Sequence, residues 1–483
     1  MTAINQPPAW VADAIFYQVF PDRFARSSGA PTQPYLEAWD APPTNRGYKG
    51  GDLWGVIERL DWIAELGCNA IYFNPIFQSA SNHRYHTHDY FRVDPLLGGD
   101  EAFDALMAAC RERELRIVLD GVFNHASRGF FQFNDLLETG EASPWRDWFH
   151  INTFPVEAYG RDDEAATSYA AWWGIPALPK FNTENSQARE FLMTVGEHWI
   201  DRGIDGWRLD VPEEISTEGF WEEFRTRVRH KNQDAYLVGE IWGDAGGWTV
   251  PGTRFDGTMN YLLTGAILSF AGARSIDWDL AGKLNYPLSA ADADGFAEAI
   301  RHLGAIYPFE TQLAHLNLLG SHDTARVLSI LGGDVKALEL ASLLQFTLPG
   351  APSIYYGDEI GLLGGHDPGS RAGFPWDMEE VWNHELLDTI RSLTALRNSH
   401  PVLRGGALQV VATASSLVVF ERSLGEDRVL VAVNTGEPAS NANFEMTATT
   451  SETLWGAGGI TFDGGSVRIA MAPRSGAVWK ISG

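Results

Sequence analysis

Gly206-Trp207-Arg208-Leu209-Asp210-Val211 is a short apolar run that ends in a charged pair. The spacing of two between Arg208 and Asp210 puts both side chains on one face of a strand. A carboxylate at the end of a buried strand, beside a fixed guanidinium, is expected to stay ionised, which is what a carboxylate nucleophile needs. A structural ion pair would leave the same trace, so the rest of the chain has to decide.

Outward from this stretch, apolar strands alternate with amphipathic helices. Strands are expected at 15–20, 70–73, 115–119, 206–209, 235–238, 255–260, 316–319 and 353–356. Helices are expected at 52–67, 103–114, 188–202, 220–231, 294–303 and 335–346, the first from Leu53, Val56, Ile57, Leu60, Ile63 and Leu66 at helical spacing. About eight such strands predict an α/β fold, a parallel TIM (β/α)8 barrel. Asp120, Asp210, Glu240 and Asp323 each follow the C-terminal end of a strand, where barrel enzymes keep their chemistry. A doubly wound sheet would instead gather its ligands at one switch point.

The connection after the third strand is too long for a plain loop and reads as a small inserted subdomain, 126–182. Its Trp145, Trp148, Trp172 and Trp173 suit either a local core or the wall of a sugar-binding cleft. Past residue 398 the helical period disappears. Strands at 408–412, 417–421, 429–433 and 467–470 predict a C-terminal antiparallel β-sandwich over 399–483, leaving 1–125 and 183–398 for the barrel.

Composition narrows the partners. With 36 Lys+Arg against 63 Asp+Glu the formal charge is −27, which argues against nucleic acid or an anionic membrane surface. Cys68 and Cys110 lie in apolar contexts and read as reduced core residues. No basic, then apolar, leader and no membrane-length apolar run occur, so a cytoplasmic protein is expected. The oligomeric state is left open.

Acids at strand ends without a metal motif point to glycoside hydrolysis, which needs one carboxylate nucleophile and one carboxylic acid. Glu240 lies among apolar neighbours in Leu237-Val238-Gly239-Glu240-Ile241-Trp242, surroundings that suit the acid. Asp210 beside Arg208 suits the nucleophile, and Asp323, next to His322, suits transition-state stabilisation.

Four motifs in chain order then resemble the α-amylase family, glycoside hydrolase family 13. They are Asp120-Gly121-Val122-Phe123-Asn124-His125, Gly206-Trp207-Arg208-Leu209-Asp210, Gly239-Glu240-Ile241-Trp242 and Gly320-Ser321-His322-Asp323. The resemblance implies Asp210 as nucleophile, Glu240 as general acid/base and Asp323 as stabiliser. It implies Arg208, His125 and His322 as groups holding the sugar, Asp120 as support beneath it, and His83 and Tyr85 of Asn82-His83-Arg84-Tyr85 as further substrate contacts.

Leu178-Pro179-Lys180-Phe181-Asn182, Phe255-Asp256-Gly257-Thr258-Met259-Asn260-Tyr261 and Asp367-Pro368-Gly369-Ser370-Arg371 resemble the neopullulanase, cyclomaltodextrinase and maltogenic amylase group. There Asp367 and Arg371 would hold the next sugar, and Trp242 follows the acid as in that group. The first barrel strand is expected at 15–20, so the group's usual N-terminal β-domain is not expected within these residues. Ala25-Arg26-Ser27-Ser28-Gly29 and Val211-Pro212-Glu213-Glu214 stand where relatives carry calcium-site residues, so no cofactor and no required calcium are expected.

The implied activity is retaining hydrolysis of α-1,4-glucosidic bonds in maltooligosaccharides, cyclodextrins, pullulan or starch. An α-glucan transglycosylase would share these motifs and differ in products. A non-catalytic α-glucan-binding protein would be expected to lack one of the three acids, and all three are present.

Overall fold

The computed structural model describes residues 6–30, 35–159, 165–250 and 252–483. Part of the expected insertion, residues 160–164, lies outside the described residues. Eight parallel strands make the central sheet: β1 (Phe16–Val19), β2 (Ala70–Phe73), β3 (Arg116–Gly121), β4 (Gly206–Leu209), β5 (Tyr236–Gly239), β6 (Gly257–Thr258), β7 (Leu316–Leu318) and β8 (Ala351–Tyr355). The order is β6-β5-β4-β3-β2-β1-β8-β7, and a single parallel bridge from Met259 to Leu316 joins the two ends into a barrel.

The pleat sorts the side chains. Phe16, Ala70, Tyr72, Val118, Tyr236, Val238, Met259, Leu316 and Leu318 fill the interior, while Ile15, Tyr17, Ile71, Phe73, Ile117 and Leu119 pack outward under the helices. Gly206 opens β4 because a Cβ there would sit 2.2 Å from the carbonyl oxygen of Tyr236 on β5. The same alternation carries polar residues to the barrel's C-terminal mouth, where Gln18, Tyr72, Asp120, Arg208 and Glu240 project inward.

Several element bounds differ from the sequence expectation. The helix expected at 52–67 is two pieces, Leu53–Glu58 and Leu60–Glu65, broken at Arg59, whose guanidinium lies 4.3 Å from the Trp376 ring centre. The strand expected at 255–260 shrinks to Gly257–Thr258, with Asn260 instead capping a buried helix, Tyr261–Ala271. The helix expected at 103–114 starts earlier, at Gly99, where Asp100 and Glu101 favour the helix N-terminus.

After the barrel come eight antiparallel strands: β9 (Ala407–Ala414), β10 (Leu417–Leu424), β11 (Asp427–Asn434), β12 (Ser440–Glu445), β13 (Thr450–Gly456), β14 (Gly459–Asp463), β15 (Ser466–Met471) and β16 (Ser475–Ser482). They form a five-stranded sheet, β9-β10-β11-β16-β13, and a three-stranded one, β12-β15-β14. Leu417, Val419, Leu430, Val467, Ile469 and Trp479 fill the space between the sheets. Val418, Phe420, Val429 and Val431, on the other face of the large sheet, join the core against the barrel. Burial on both faces explains the unbroken apolar run at the start of β10.

Candidate active site

Arg208 is the hub. It is fully buried and reaches four carboxylates from the end of β4. Its Nη1 donates to Asp120 Oδ1 and to Asp210 Oδ1, both at 2.8 Å. Its Nη2 lies 3.0 Å from Glu240 Oε2 and 3.8 Å from Asp323 Oδ2, without hydrogen-bond alignment to either. Nε donates to Met259 Sδ at 3.4 Å. One guanidinium fork therefore bridges Asp210 and Glu240, the two acids expected to do the chemistry.

The backbone right after Asp210 is unusual. Val211 takes the left-handed conformation, φ 35° and ψ 53°. A β-branched residue there is strained, and such strain collects at functional sites. Its effect is visible: the Val211 N–H donates to Glu240 Oε2 at 3.0 Å. The Trp242 indole N–H donates to Glu240 Oε1 at 3.2 Å, and its ring stacks 3.8 Å from that of Tyr261.

Asp120 supports the floor. Tyr72 and Tyr85 hydroxyls each donate to its Oδ2 at 2.8 Å. The Tyr85 hydroxyl also bonds His322 Nε2, and the two ring planes are parallel within 3°. Gln18 Nε2 meets His322 Nδ1 at 2.9 Å. His83 and Tyr85 sit in the turn of a two-stranded ribbon, Phe77–Ser79 with Thr87–Val93, beyond the end of β2. Buried Arg84 fixes that turn by pairing with Asp94 at 3.0 Å and Asp22 at 3.6 Å.

On the opposite rim, Arg371 donates from Nε to the His322 carbonyl at 2.9 Å and pairs with Asp367 at 3.0 Å and Asp323 at 3.4 Å. His125, after β3, is buried. Its Nδ1 faces Asn124 Nδ2 at 3.2 Å, while its Nε2 and Asn124 Oδ1 have no protein partner. Ten of the twelve site residues singled out in the sequence thus line one mouth. Arg371 reaches it at the edge, through Asp323 and the His322 carbonyl, and Asp367 only through Arg371.

The electrostatics depart from expectation in one respect. Arg208 was expected to keep Asp210 ionised, but burial pushes the Asp210 carboxyl well up, and Arg208 opposes it while Glu240 and Asp120 add to the rise. Burial likewise raises Glu240, against Arg208 and the Val211 N–H. Asp323 is pushed up to about 7 by burial and Glu240. Arg208 and Arg371 are shared among several buried acids, and the common upward direction favours a proton held by the cluster rather than by one residue. Burial lowers His125 to about 3 and His322 and His83 well below their usual value, so all three are neutral hydrogen-bonding groups.

Residues that the sequence reading missed include Gln18, Tyr72, Asn74 and Met259. Gln18 and Asn74 gave a usable signal, since each is a polar residue in or just after an apolar strand. Met259 gave none. Among the described residues no group of three or more His, Cys, Asp or Glu is placed to hold a metal. No helix among them is long and apolar enough to cross a membrane.

The tryptophans of the insertion divide. Trp148 is buried and Trp145 packs edge-on to Phe131 at 5.3 Å, both in a local aromatic core. Trp172 stacks on His125 at 5.3 Å instead.

Comparison with known proteins agrees with this geometry. A family model described as alpha amylase, catalytic domain, matches residues 18–400. A cyclomaltodextrinase from a Bacillus species is 41% identical over 435 residues, 89% of this chain and 74% of that protein. The crystal structure of a debranching enzyme from Nostoc punctiforme is 48% identical with a TM-score of 0.91, covering 98% of this chain and 99% of that one. A cyclic α-maltosyl-(1→6)-maltose hydrolase from Arthrobacter globiformis is 39% identical with a TM-score of 0.87, covering 98% of this chain and 100% of that one.

Proposed function

The chain belongs to the α-amylase family of glycoside hydrolases, and on that premise we propose that it cleaves α-1,4-glucosidic bonds of short or cyclic α-glucans with retention at the anomeric carbon. The observation that carries this reading is the single Arg208 fork bridging Asp210 and Glu240. Retention needs the two carboxyls about 5–5.5 Å apart, without the wider gap by which inverting enzymes admit a water between the acids.

In this reading Glu240 gives the cluster's proton to the glycosidic oxygen while ionised Asp210 attacks the anomeric carbon. The C–O bond to the leaving sugar breaks and a glycosyl ester forms on Asp210. Glu240, now a carboxylate, takes a proton from water, whose oxygen attacks the same carbon and frees Asp210. Asp323, half-exposed beside Arg371, stabilises the positive charge developing on the ring. Neutral His125, with its free Nε2, and His322 hold hydroxyls, Tyr85 offers a ring fixed by its edge, and Asp367 and Arg371 meet the neighbouring sugar.

Residues 1–125 and 183–398 act as the catalytic barrel, 126–182 as the wall over its mouth and 399–483 as the sandwich behind it. Two buried free cysteines suit a reducing, cytoplasmic setting. We propose that no calcium is required, since the segment 25–29 is held by the protein itself, with Ser27 Oγ donating to the Asp52 carboxylate at 2.7 Å and the Gly55 N–H doing so at 2.6 Å. A drop in melting temperature on adding a chelator would contradict that.

The deciding experiment follows products and anomers on maltooligosaccharides, cyclodextrin, pullulan and starch. Asp210→Asn and Glu240→Gln are expected to lower turnover by at least roughly a thousandfold with folding intact. An active Asp210→Asn protein, or first-formed β-anomers, would overturn the scheme. Transglycosylation is the second reading, for which a cavity lined by Asn124, Lys180, Phe181, Thr183, Glu214 and Thr217, beyond the acids, offers a place for an acceptor sugar. Products longer than maltotriose, from maltotriose alone, would establish it.

A further inference from the structure

Trp173 is 75% exposed, although indole is among the most costly side chains to leave in water. It is also held in a conformation that L residues avoid, φ 51° and ψ 20°, inside the short turn Trp172–Gly174. The two oddities explain each other. In extended backbone, consecutive side chains point to opposite sides. The left-handed residue swings the second indole back over the first, so Trp173 stacks on Trp172 at 4.2 Å with planes 13° apart. Trp172 in turn stacks on His125 at 5.3 Å and 16°.

The result is a ladder of three nearly parallel rings that begins at a buried histidine in the catalytic mouth and ends at a flat indole in solvent. A local core does not require this, since Trp148 and Phe149 already serve it from within. Strain retained to expose an apolar face marks a contact surface.

We propose that the outer face of Trp173 is a sugar-stacking platform, on which a glucosyl unit remote from the cleaved bond of a longer α-glucan rests. The proposal rests on the α-glucan reading above. The apolar C–H face of a pyranose ring fits the flat indole, and the continuous stack back to His125 keeps the platform in fixed register with the catalytic acids. The platform therefore selects for chain length and leaves the chemistry alone.

Binding is measured apart from turnover. The Asp210→Asn protein, with and without Trp173→Ala, is titrated with maltotriose and maltoheptaose. Loss of the indole is expected to weaken maltoheptaose roughly three- to tenfold and to leave maltotriose unchanged. Trp173→Phe should fall between the two. In the catalytically intact protein, Trp173→Ala should raise KM for the heptamer by a similar factor with kcat preserved. Equal losses for both sugars, or no loss for either, would overturn the platform. If the length-dependent loss persists but the unaltered protein releases no sugar from any α-glucan, the hydrolase reading falls and the platform stands.

Discussion

Glu359, at the end of β8, shows what burial does to a single acid in this fold. It is wholly buried, and that burial pushes it up to about 7, although the Tyr17 hydroxyl donates to it at 2.6 Å and the Gly357 N–H at 2.7 Å. The folded value lies above the unfolded one, so the folded state binds the extra proton. The stability linked to that proton is complete below the unfolded value of about 4 and is lost as pH rises through 7. The Glu359 contribution to stability should therefore fall between pH 5 and pH 8, while the buried neutral His83, His125 and His322 act with the opposite sign below about 6.5. Glu359→Gln should flatten that fall by an amount on the order of 3 kcal/mol across the interval. Asp358, pushed up to about 6, and Asp323 supply the rest of the slope with the same sign. A slope unchanged in the variant would assign the pH dependence elsewhere. The mouth of the barrel obeys the same physics: Arg208 and Asp210 were legible as a pair two residues apart, but the other acids drawing on that guanidinium come from other strands, so Asp210's raised carboxyl was not legible.

Elements were legible where one local pattern dominated. The strands β2, β4 and β5 are short apolar runs bounded by turn residues, and their bounds follow from that texture. Where distant contacts decide, the sequence is silent. Arg59 breaks its helix under Trp376, some three hundred residues away in the chain, and nothing near Arg59 announces it. The strands β12, β13 and β14 lie at sheet edges and carry many exposed polar residues, so β12 and β14 show only two inward residues each, Ala442 and Phe444, Ile460 and Phe462, and β13 shows no alternation. Val211 is a further case. Pro212 announces that the strand stops, but only the acid just after β5, which receives the Val211 N–H, shows why the backbone turns left-handed there.

At the scale of the whole molecule, two arginines join the C-terminal sheet region to the barrel. Arg422 on β10 donates to the carbonyls of Thr347 and Gly406, and Arg397 to those of Phe346, Leu403 and Gly350. Their charges meet the carbonyl end of the helix Val335–Thr347, where a cation is favoured. The barrel itself is less evenly built. Its β6 is two residues long, and one bridge, Met259 to Leu316, closes the ring. Side chains replace the missing ladder: Thr258 N–H donates to His315 Nδ1 at 3.1 Å and Asn260 Nδ2 to Asn317 Oδ1 at 3.1 Å. A closed ring fluctuates first at its weakest joint, so breathing of the native protein should begin between β6 and β7. The amides of 257–260 and 316–318 should exchange with deuterium ahead of those in β2 to β4, and uniform protection around the barrel would refute this. Met259 gives that fluctuation a chemical edge, because its sulfur also receives the Nε–H of Arg208. Each opening of the joint releases one of the three hydrogen bonds that fix the guanidinium organising the acids, so the seam of the ring and the floor of the site share a contact.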